Sequence, residues 1–228
     1  MRPLPSGARE DLYNWTFVVN GRPIFMKGAN WCLTDVMMDL SPERYERFLK
    51  TAKDQHLNLL RAWGGGLSET DTFYDLCDEL GLMVMQEWPT CWNSHNTQNL
   101  DVMRETVIRN TLRIRTHPSL ALWAGGNESS EPFGEMIDMM GRASIELDGT
   151  RAFHRGEPWG GSKHNHDSWW LDLHLNNALN MEAIFWGEFG MPSLPVKESM
   201  ERYMNGEPFR YPLPPNSVFE HHAPTFGA

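Results

Sequence analysis

The sequence predicts an α/β protein of the (β/α)8 TIM-barrel class, without a recognisable eighth strand. Three observations lead there. Short apolar runs alternate with amphipathic helical segments, the helix-to-strand links are very short, and polar residues recur at the C-terminal ends of the runs, at Asn30, Arg61, Glu87 and Glu128. Alternation with tight links implies parallel strands joined by crossover helices. A doubly wound sheet shares that alternation, but the sequence has no G-x-G-x-x-G or P-loop pattern. Polar groups at the C-terminal ends of many different strands are the habit of the barrel.

In chain order, "FVVNGRPIF" sets Asn20-Gly21 between two β-rich runs, a type I′ signal, so residues 16–26 are predicted as a hairpin running into a first core strand at 25–31. "SPERYERFLKTAKDQH" opens a helix with Ser41 as cap and Pro42 in its first position, and Tyr45, Phe48, Leu49 and Ala52 fall on one stripe. "LNLLRAW" is the second strand. "TDTFYDLCDELG" is a helix with Phe73, Leu76, Cys77 and Leu80 on one face and Gly81 as its stop, and "LMVMQEW" is the third strand. A helix over roughly 100–115 leads through His117-Pro118 into the fourth strand, "SLALWAGG", and a further helix is predicted at 133–146. Fifth and sixth strands are expected within "DGTRAFHRG" and "HDSWWLDLH", a seventh within "MEAIFWGEFG", and a last helix at "VKESMERYM" before a Pro-rich tail.

Composition narrows the partners. With 20 Lys+Arg against 30 Asp+Glu and a net charge of −10, the chain lacks the basic footprint of a nucleic-acid binder. No stretch approaches the roughly 20 apolar residues of a membrane span, and the N-terminus has no apolar signal-peptide centre. A soluble chain is expected, cytoplasmic if its source is bacterial. Cys32, Cys77 and Cys91 are odd in number and unevenly placed, which fits neither a disulfide framework nor zinc. Ten tryptophans are unusual, and Trp31, Trp63, Trp88, Trp123 and Trp186 gather near strand ends, where flat rings can face sugar C–H surfaces or fill the core.

The stretch "LALWAGGNESS" carries the functional argument, because a core strand there ends by presenting an amide and an acid, Asn127 and Glu128. The seventh run repeats the pattern: apolar residues, a glycine, then Glu188. Two glutamates at the C-terminal ends of two barrel strands, 60 residues apart, can face each other across the mouth. Glycoside hydrolysis needs such a pair, one carboxyl to protonate the leaving oxygen and another to attack the anomeric carbon or activate water.

"KGANW", "LLRAWGGG", "FYDLCDELGLMVMQEW", "HPSLALWAGGNE" and "GEFGMPS" together resemble the catalytic domain of glycoside hydrolase family 2 over most of residues 17–193. The resemblance implies a retaining glycosidase with Glu128 as acid/base, Asn127 holding the sugar 2-hydroxyl and Glu188 as nucleophile. Arg61-Ala62-Trp63-Gly64-Gly65-Gly66 and "EFGMPS" resemble the β-mannosidase version. The implied activity is hydrolysis of terminal non-reducing β-D-mannose from β-mannosides or oligosaccharides. An exo-β-D-glucosaminidase, another family 2 β-glycosidase, or a catalytically incompetent carbohydrate-binding fragment are the alternatives. Further substrate contacts are expected from Arg61, Trp63, Trp31, Glu87, Trp88 and Trp186. Arg61 is also expected to pair with Glu87 and favour the charged form of Glu188, whose charge in turn keeps Glu128 protonated. Gln86-Glu87-Trp88 departs from the Gln-Asp-Phe usual in mannosidases, and "HNHDSWW" only loosely matches the family's Asp-x-His-Tyr-Trp segment.

Gly64-Gly65-Gly66 lacks the Lys-Ser/Thr of a phosphate loop and reads as a tight strand exit. His164, His166 and His174 beside Asp167 look like metal ligands only superficially, and since retaining glycosidases need neither metal nor cofactor, none is expected. A complete barrel takes about 250 residues. The expected division is therefore 1–16 as the remnant of an upstream domain or linker, 17–193 as the barrel, and 194–228 as helix and Pro-rich tail. Missing domains of a longer chain would complete it.

Overall fold

The computed structural model describes residues 15–129, 134–166, 183–190, 195–208 and 218. Strands β1 (Phe17–Val19) and β2 (Arg22–Ile24) pair antiparallel about Asn20 and Gly21, whose φ values of 51° and 78° give the left-handed pair that a type I′ turn requires. Five strands then form one parallel sheet in sequence order: β3 (Gly28–Trp31), β4 (Leu59–Ala62), β5 (Met83–Glu87), β6 (Leu120–Ala124) and β7 (Phe153–His154). Two more, β8 (Ser162–His164) and β9 (Phe185–Glu188), pair parallel with each other. The first core strand starts at Gly28, not at residue 25. Asn58 ties the preceding segment by its side chain, accepting from the Lys27 N–H and donating to the Phe25 carbonyl.

The crossover helices fall where the periodicity puts them: α1 (Pro42–Asp54), α2 (Asp71–Leu80), α3 (Leu100–Ile114) and α4 (Glu135–Asp148). On α2 the Thr70 hydroxyl accepts from the Phe73 N–H and Gly81 closes the helix at φ 65°, a left-handed stop that glycine adopts without strain. On α1, Tyr45, Leu49 and Ala52 are buried as expected. Phe48 is not, and lies at the solvent edge under the guanidinium groups of Arg44 and Arg47. The fifth strand appears within the expected segment, as β7. A strand unmarked in the sequence reading falls at β8, and 167–174 of the expected sixth strand lie outside the described residues, as does the Pro-rich tail beyond 208 except Val218. The described residues from Gly190 onward belong to a second unit, in which α5 (Lys197–Tyr203) occupies the segment predicted as the last helix and buries Met200.

Each face of the parallel sheet is apolar. One packs against the helices through Leu60, Ala62, Val84, Trp88 and Trp123. The other gathers Leu59, Met85, Leu122 and Ala124 with Trp15 and, from β9, Phe185. Two faces buried this way are what an all-parallel sheet requires. Among the described residues no strand joins β3 to β9, so the ring is not closed. Between those strands lies a gap of about 720 Å³, with Trp15, Phe25, Met26, Leu57, Met85 and Phe185 in its apolar lining. Among the described residues no helix is long and apolar enough to cross a membrane.

Candidate active site

Side chains alternate along a strand, so on β4 the neighbours Leu60 and Ala62 turn to the helices while Arg61 turns to the other face, where its guanidinium is 4% exposed. Four strand ends converge on it. Nε donates to Glu87 Oε1 at 2.8 Å, Nη1 to Glu188 Oε1 at 2.5 Å and to Asn30 Oδ1 at 3.2 Å, and Nη2 to Asn127 Oδ1 at 2.5 Å. Burial works against the charge of Arg61, but Glu87, Glu157 and Glu188 outweigh it and hold the group firmly protonated. Glu87 is fully buried. That burial raises its carboxyl above the ordinary range, only partly offset by Arg61 and by the Gly64 N–H, which donates to Oε2 at 2.6 Å.

Glu128 follows β6 and Glu188 ends β9. They present carboxylate oxygens no more than 4.8 Å apart. His164 Nδ1 stands between them, 2.9 Å from Glu128 Oε1 and 3.6 Å from Glu188 Oε2, and His166 Nε2 lies 3.5 and 3.2 Å from the same two atoms. The exposed Trp92 donates its indole N–H to Glu128 Oε2 at 2.8 Å and meets Trp63 edge to face, ring centroids 5.7 Å apart. The backbone at Glu128 is left-handed, φ 47°. Its N–H donates to the Glu157 carbonyl at 2.6 Å, which holds the residue in a conformation that non-glycine residues enter at a cost.

Burial raises the Glu128 carboxyl, but the hydrogen bonds from His164 and Trp92 and the nearby imidazoles outweigh it, leaving the group below its ordinary value. His164 moves the opposite way: burial lowers it, and Glu157, Glu188 and Glu128 together carry it above the usual histidine value. Against the expectation that Glu188 holds the proton on Glu128, His164 between the two carboxylates pulls the Glu128 carboxyl down and is itself raised. Behind His164 sits Glu157, 1% exposed, with Oε1 3.6 Å from His164 Nε2 and Oε2 3.1 Å from His154 Nε2. Burial raises Glu157 as well, yet His154, His164 and Arg61 bring it down to about 2.

The glycines of the strand exits are explained by close approach. A Cβ on Gly64 would lie 2.4 Å from the Thr90 carbonyl oxygen, one on Gly65 2.0 Å from the Trp63 ring, and one on Gly187 2.0 Å from Glu157 Oε1.

Of the residues singled out in the sequence, Arg61, Glu87, Asn127, Glu128 and Glu188 come together, and Trp63 stands beside them through Trp92. Glu87 is buried beneath Arg61 and supports it instead of facing the mouth. Trp186 lines the apolar gap, whose lining also includes Arg61 and Glu188. Trp31 and Trp88 are corrections. Trp31 packs with Tyr45 and Phe73 and donates to Glu69 Oε1 at 2.7 Å. Trp88 is fully buried, stacked on Trp123 at 5.1 Å, with its N–H on Ser144 Oγ of α4. Side-chain alternation forces the latter outcome: with Glu87 turned to the site, its neighbour turns to the helices. Trp92, Glu157 and His154 were missed. Trp92 and Glu157 sit on irregular segments and His154 ends the two-residue strand β7, too short to show periodicity, so only the lone acid of "RGEPWGG" stands out in sequence.

The family described as "Glycosyl hydrolases family 2, TIM barrel domain" matches residues 11–184. Among curated relatives, a β-mannosidase of Capra hircus is 29% identical over 240 aligned positions, covering 86% of this chain and 27% of that protein. A mannosylglycoprotein endo-β-mannosidase of Lilium longiflorum is 30% identical over 97% of this chain and 29% of its own length. The solved structure of a β-D-mannosidase from Dictyoglomus thermophilum superposes with a TM-score of 0.75 at 32% identity, covering 84% of this chain and 27% of that one. The chain thus spans less than a third of the length of these relatives. With its parallel strands, the convergence of Glu128 and Glu188, and a family match across more than half its residues, the chain belongs to the TIM-barrel domain of glycosyl hydrolase family 2.

Proposed function

We propose that the chain carries the catalytic centre of a retaining exo-β-glycosidase that removes terminal non-reducing β-D-mannose, with Glu188 as nucleophile and Glu128 as acid/base. One observation carries the reading: the two carboxylates approach within 4.8 Å at their nearest oxygens. That suits the retaining arrangement of about 5–5.5 Å better than the roughly 6.5–9.5 Å that leaves room for water in an inverting site. The mannose assignment draws on "RAWGGG" and "EFGMPS" and on the relatives' names.

In the first half-reaction Glu188, paired with and aimed by Arg61, attacks the anomeric carbon as the bond to the aglycone oxygen breaks. Glu128 gives that oxygen a proton, and His164, 2.9 Å away, is the reservoir from which Glu128 is charged. Asn127, anchored on Arg61, is placed to hold the 2-hydroxyl. In the second half Glu128 takes a proton from water, whose oxygen displaces Glu188 and restores the original anomeric configuration.

The test is hydrolysis of aryl β-mannoside, β-glucosaminide and β-galactoside by the expressed chain, with the mannoside turned over fastest. Glu188→Ala abolishes turnover, and azide restores it with an inverted glycosyl azide. Glu128→Ala spares substrates with good leaving groups, and azide then yields the retained product. The same rescue product from both variants, or a loss smaller than about 10²-fold from Glu188→Ala, or from Glu128→Ala on mannosides with poor leaving groups, overturns the assignment.

A further inference from the structure

We propose that Glu128, Glu188, His164 and His166 form a four-coordinate site for a divalent cation of the zinc class, and that filling it shuts the catalytic centre. The binding stands on geometry alone, whereas the shut-off rests on the glycosidase reading above.

The four side chains each offer one donor atom, and these atoms all lie within 4.8 Å of one another. A tetrahedral zinc ion with bonds of about 2.0–2.2 Å to imidazole nitrogen and carboxylate oxygen requires donor-to-donor separations of about 3.3–3.5 Å. Of the six donor-to-donor separations, the four between nitrogen and oxygen are 2.9, 3.2, 3.5 and 3.6 Å, close to that value, and the other two lie within 4.8 Å.

The surroundings complete the pattern. A metal-bound histidine usually turns its second nitrogen to a carboxylate, which fixes the ring and strengthens the ligand. His164 is disposed for this: Nδ1 faces the donor cluster, and Nε2 lies 3.6 Å from Oε1 of the buried Glu157, a near approach that a small ring shift turns into a hydrogen bond. Charge favours a cation too. Glu87 and Glu188 pair with Arg61 while Glu128 and Glu157 flank His164, so once the imidazoles are deprotonated, as metal binding requires, these five groups carry a formal charge of −3. A dication brings that to −1. Two imidazoles with two carboxylates suit Zn²⁺, Co²⁺ or Ni²⁺ better than Mg²⁺ or Ca²⁺, which prefer all-oxygen shells. The sequence offers the histidines no metal-site spacing, and the fold brings Glu128 and Glu188 to them from the ends of β6 and β9. A bound ion occupies a lone pair on both glutamates, so it excludes nucleophilic attack and proton transfer together.

The experiment is calorimetric titration of the full chain with zinc chloride in a non-chelating buffer, without substrate, beside the visible spectrum with Co²⁺. The expected result is one ion per chain and the intense band of four-coordinate Co²⁺. Affinity falls about tenfold or more in His166→Ala, half-exposed and tolerant of truncation, and in the isosteric Glu188→Gln. Asp78→Asn, in a second Asp75/Asp78/His117 cluster, leaves it unchanged. No saturable one-to-one binding, or binding weakened by Asp78→Asn and not by His166→Ala, overturns the site. In the activity assay zinc inhibits aryl β-mannoside hydrolysis competitively and EDTA reverses it. Hydrolysis indifferent to bound zinc overturns the shut-off. One-to-one binding in a chain that hydrolyses no glycoside upholds the site and counts against the glycosidase reading alone.

Discussion

Replacing Arg61 by Met keeps the length of the side chain and removes its charge, which makes it the most informative single perturbation of the site. In the parent, one guanidinium satisfies Glu87, Asn30, Asn127 and Glu188. In the variant, Glu87 is left fully buried with the Gly64 N–H as its remaining hydrogen bond within this cluster. Removing one partner of a buried ion pair costs about 3–5 kcal/mol, because the other charge stays buried. For a chain of this size each kcal/mol moves the melting temperature by about 2–4 °C, so the midpoint falls by roughly 6–20 °C. Arg61→Met/Glu87→Gln relieves the stranded charge, and its loss is smaller than the sum of the two single losses. Urea unfolding of the four proteins followed by circular dichroism measures this directly. A single-variant loss below about 1 kcal/mol, or strict additivity in the double variant, refutes the view that one buried guanidinium organises these strand ends.

Two further outcomes follow from the same geometry. Trp92→Phe keeps a ring against Trp63 but deletes the 2.8 Å hydrogen bond to Glu128. It lowers kcat roughly tenfold for β-mannosides with poor leaving groups, about 1.4 kcal/mol, and much less for activated aryl substrates. An equal loss on both would show that Trp92 does not act through Glu128. Asp148 accepts from the Trp123 indole at 2.7 Å and pairs with Arg151; although burial raises its carboxyl, Thr150, Trp123 and Arg151 hold it below the ordinary value. A depressed folded-state value gives stability that is full above the ordinary aspartate range and is lost as pH falls through the folded value. Asp148→Asn is therefore less stable than the parent by about 1.5–3 kcal/mol at neutral pH, and the gap closes in acid below about pH 4. A gap that persists unchanged at low pH refutes the assignment.

What could be read from the sequence is what short-range chemistry specifies. Helices α1 to α4 carry their own apolar stripes, α2 and α3 their own side-chain caps, and strands β4 to β6 their own apolar runs, so their order and parallel sense were legible before any coordinates; the Ser41 side chain expected to cap α1 makes no capping hydrogen bond. Strand β8 was not. "SKH" has no apolar alternation and is defined by its pairing with β9, some twenty residues on. The site divides the same way. Glu128 and Glu188 stand at the ends of apolar runs and announce themselves, and Arg61 ends another. Trp31 and Trp88 look like Trp63 in sequence, but side-chain direction along the strand separates them, and counting from Glu87 would have shown Trp88 turned to the helices. His164 passed for a doubtful ligand because its partners are 36, 24 and 7 residues away, on three different segments. The ionisation of Glu128 depends on that meeting, and no local pattern encodes it.

The unfilled space between β3 and β9 has a practical consequence at the bench. At about 720 Å³, with a largely apolar wall, it matches the size of pockets that take drug-sized molecules. Environment-sensitive dyes such as anilinonaphthalene sulfonate, which brighten on leaving water, therefore find a seat in the folded chain. Dye-based melting curves of this protein are expected to start from a bright baseline, which a parallel melt followed by circular dichroism checks. The same brightness is a reporter: any ligand that fills the space dims it, and a screen of apolar fragments by dye displacement reads occupancy of this wall independently of any reaction at Glu128 and Glu188.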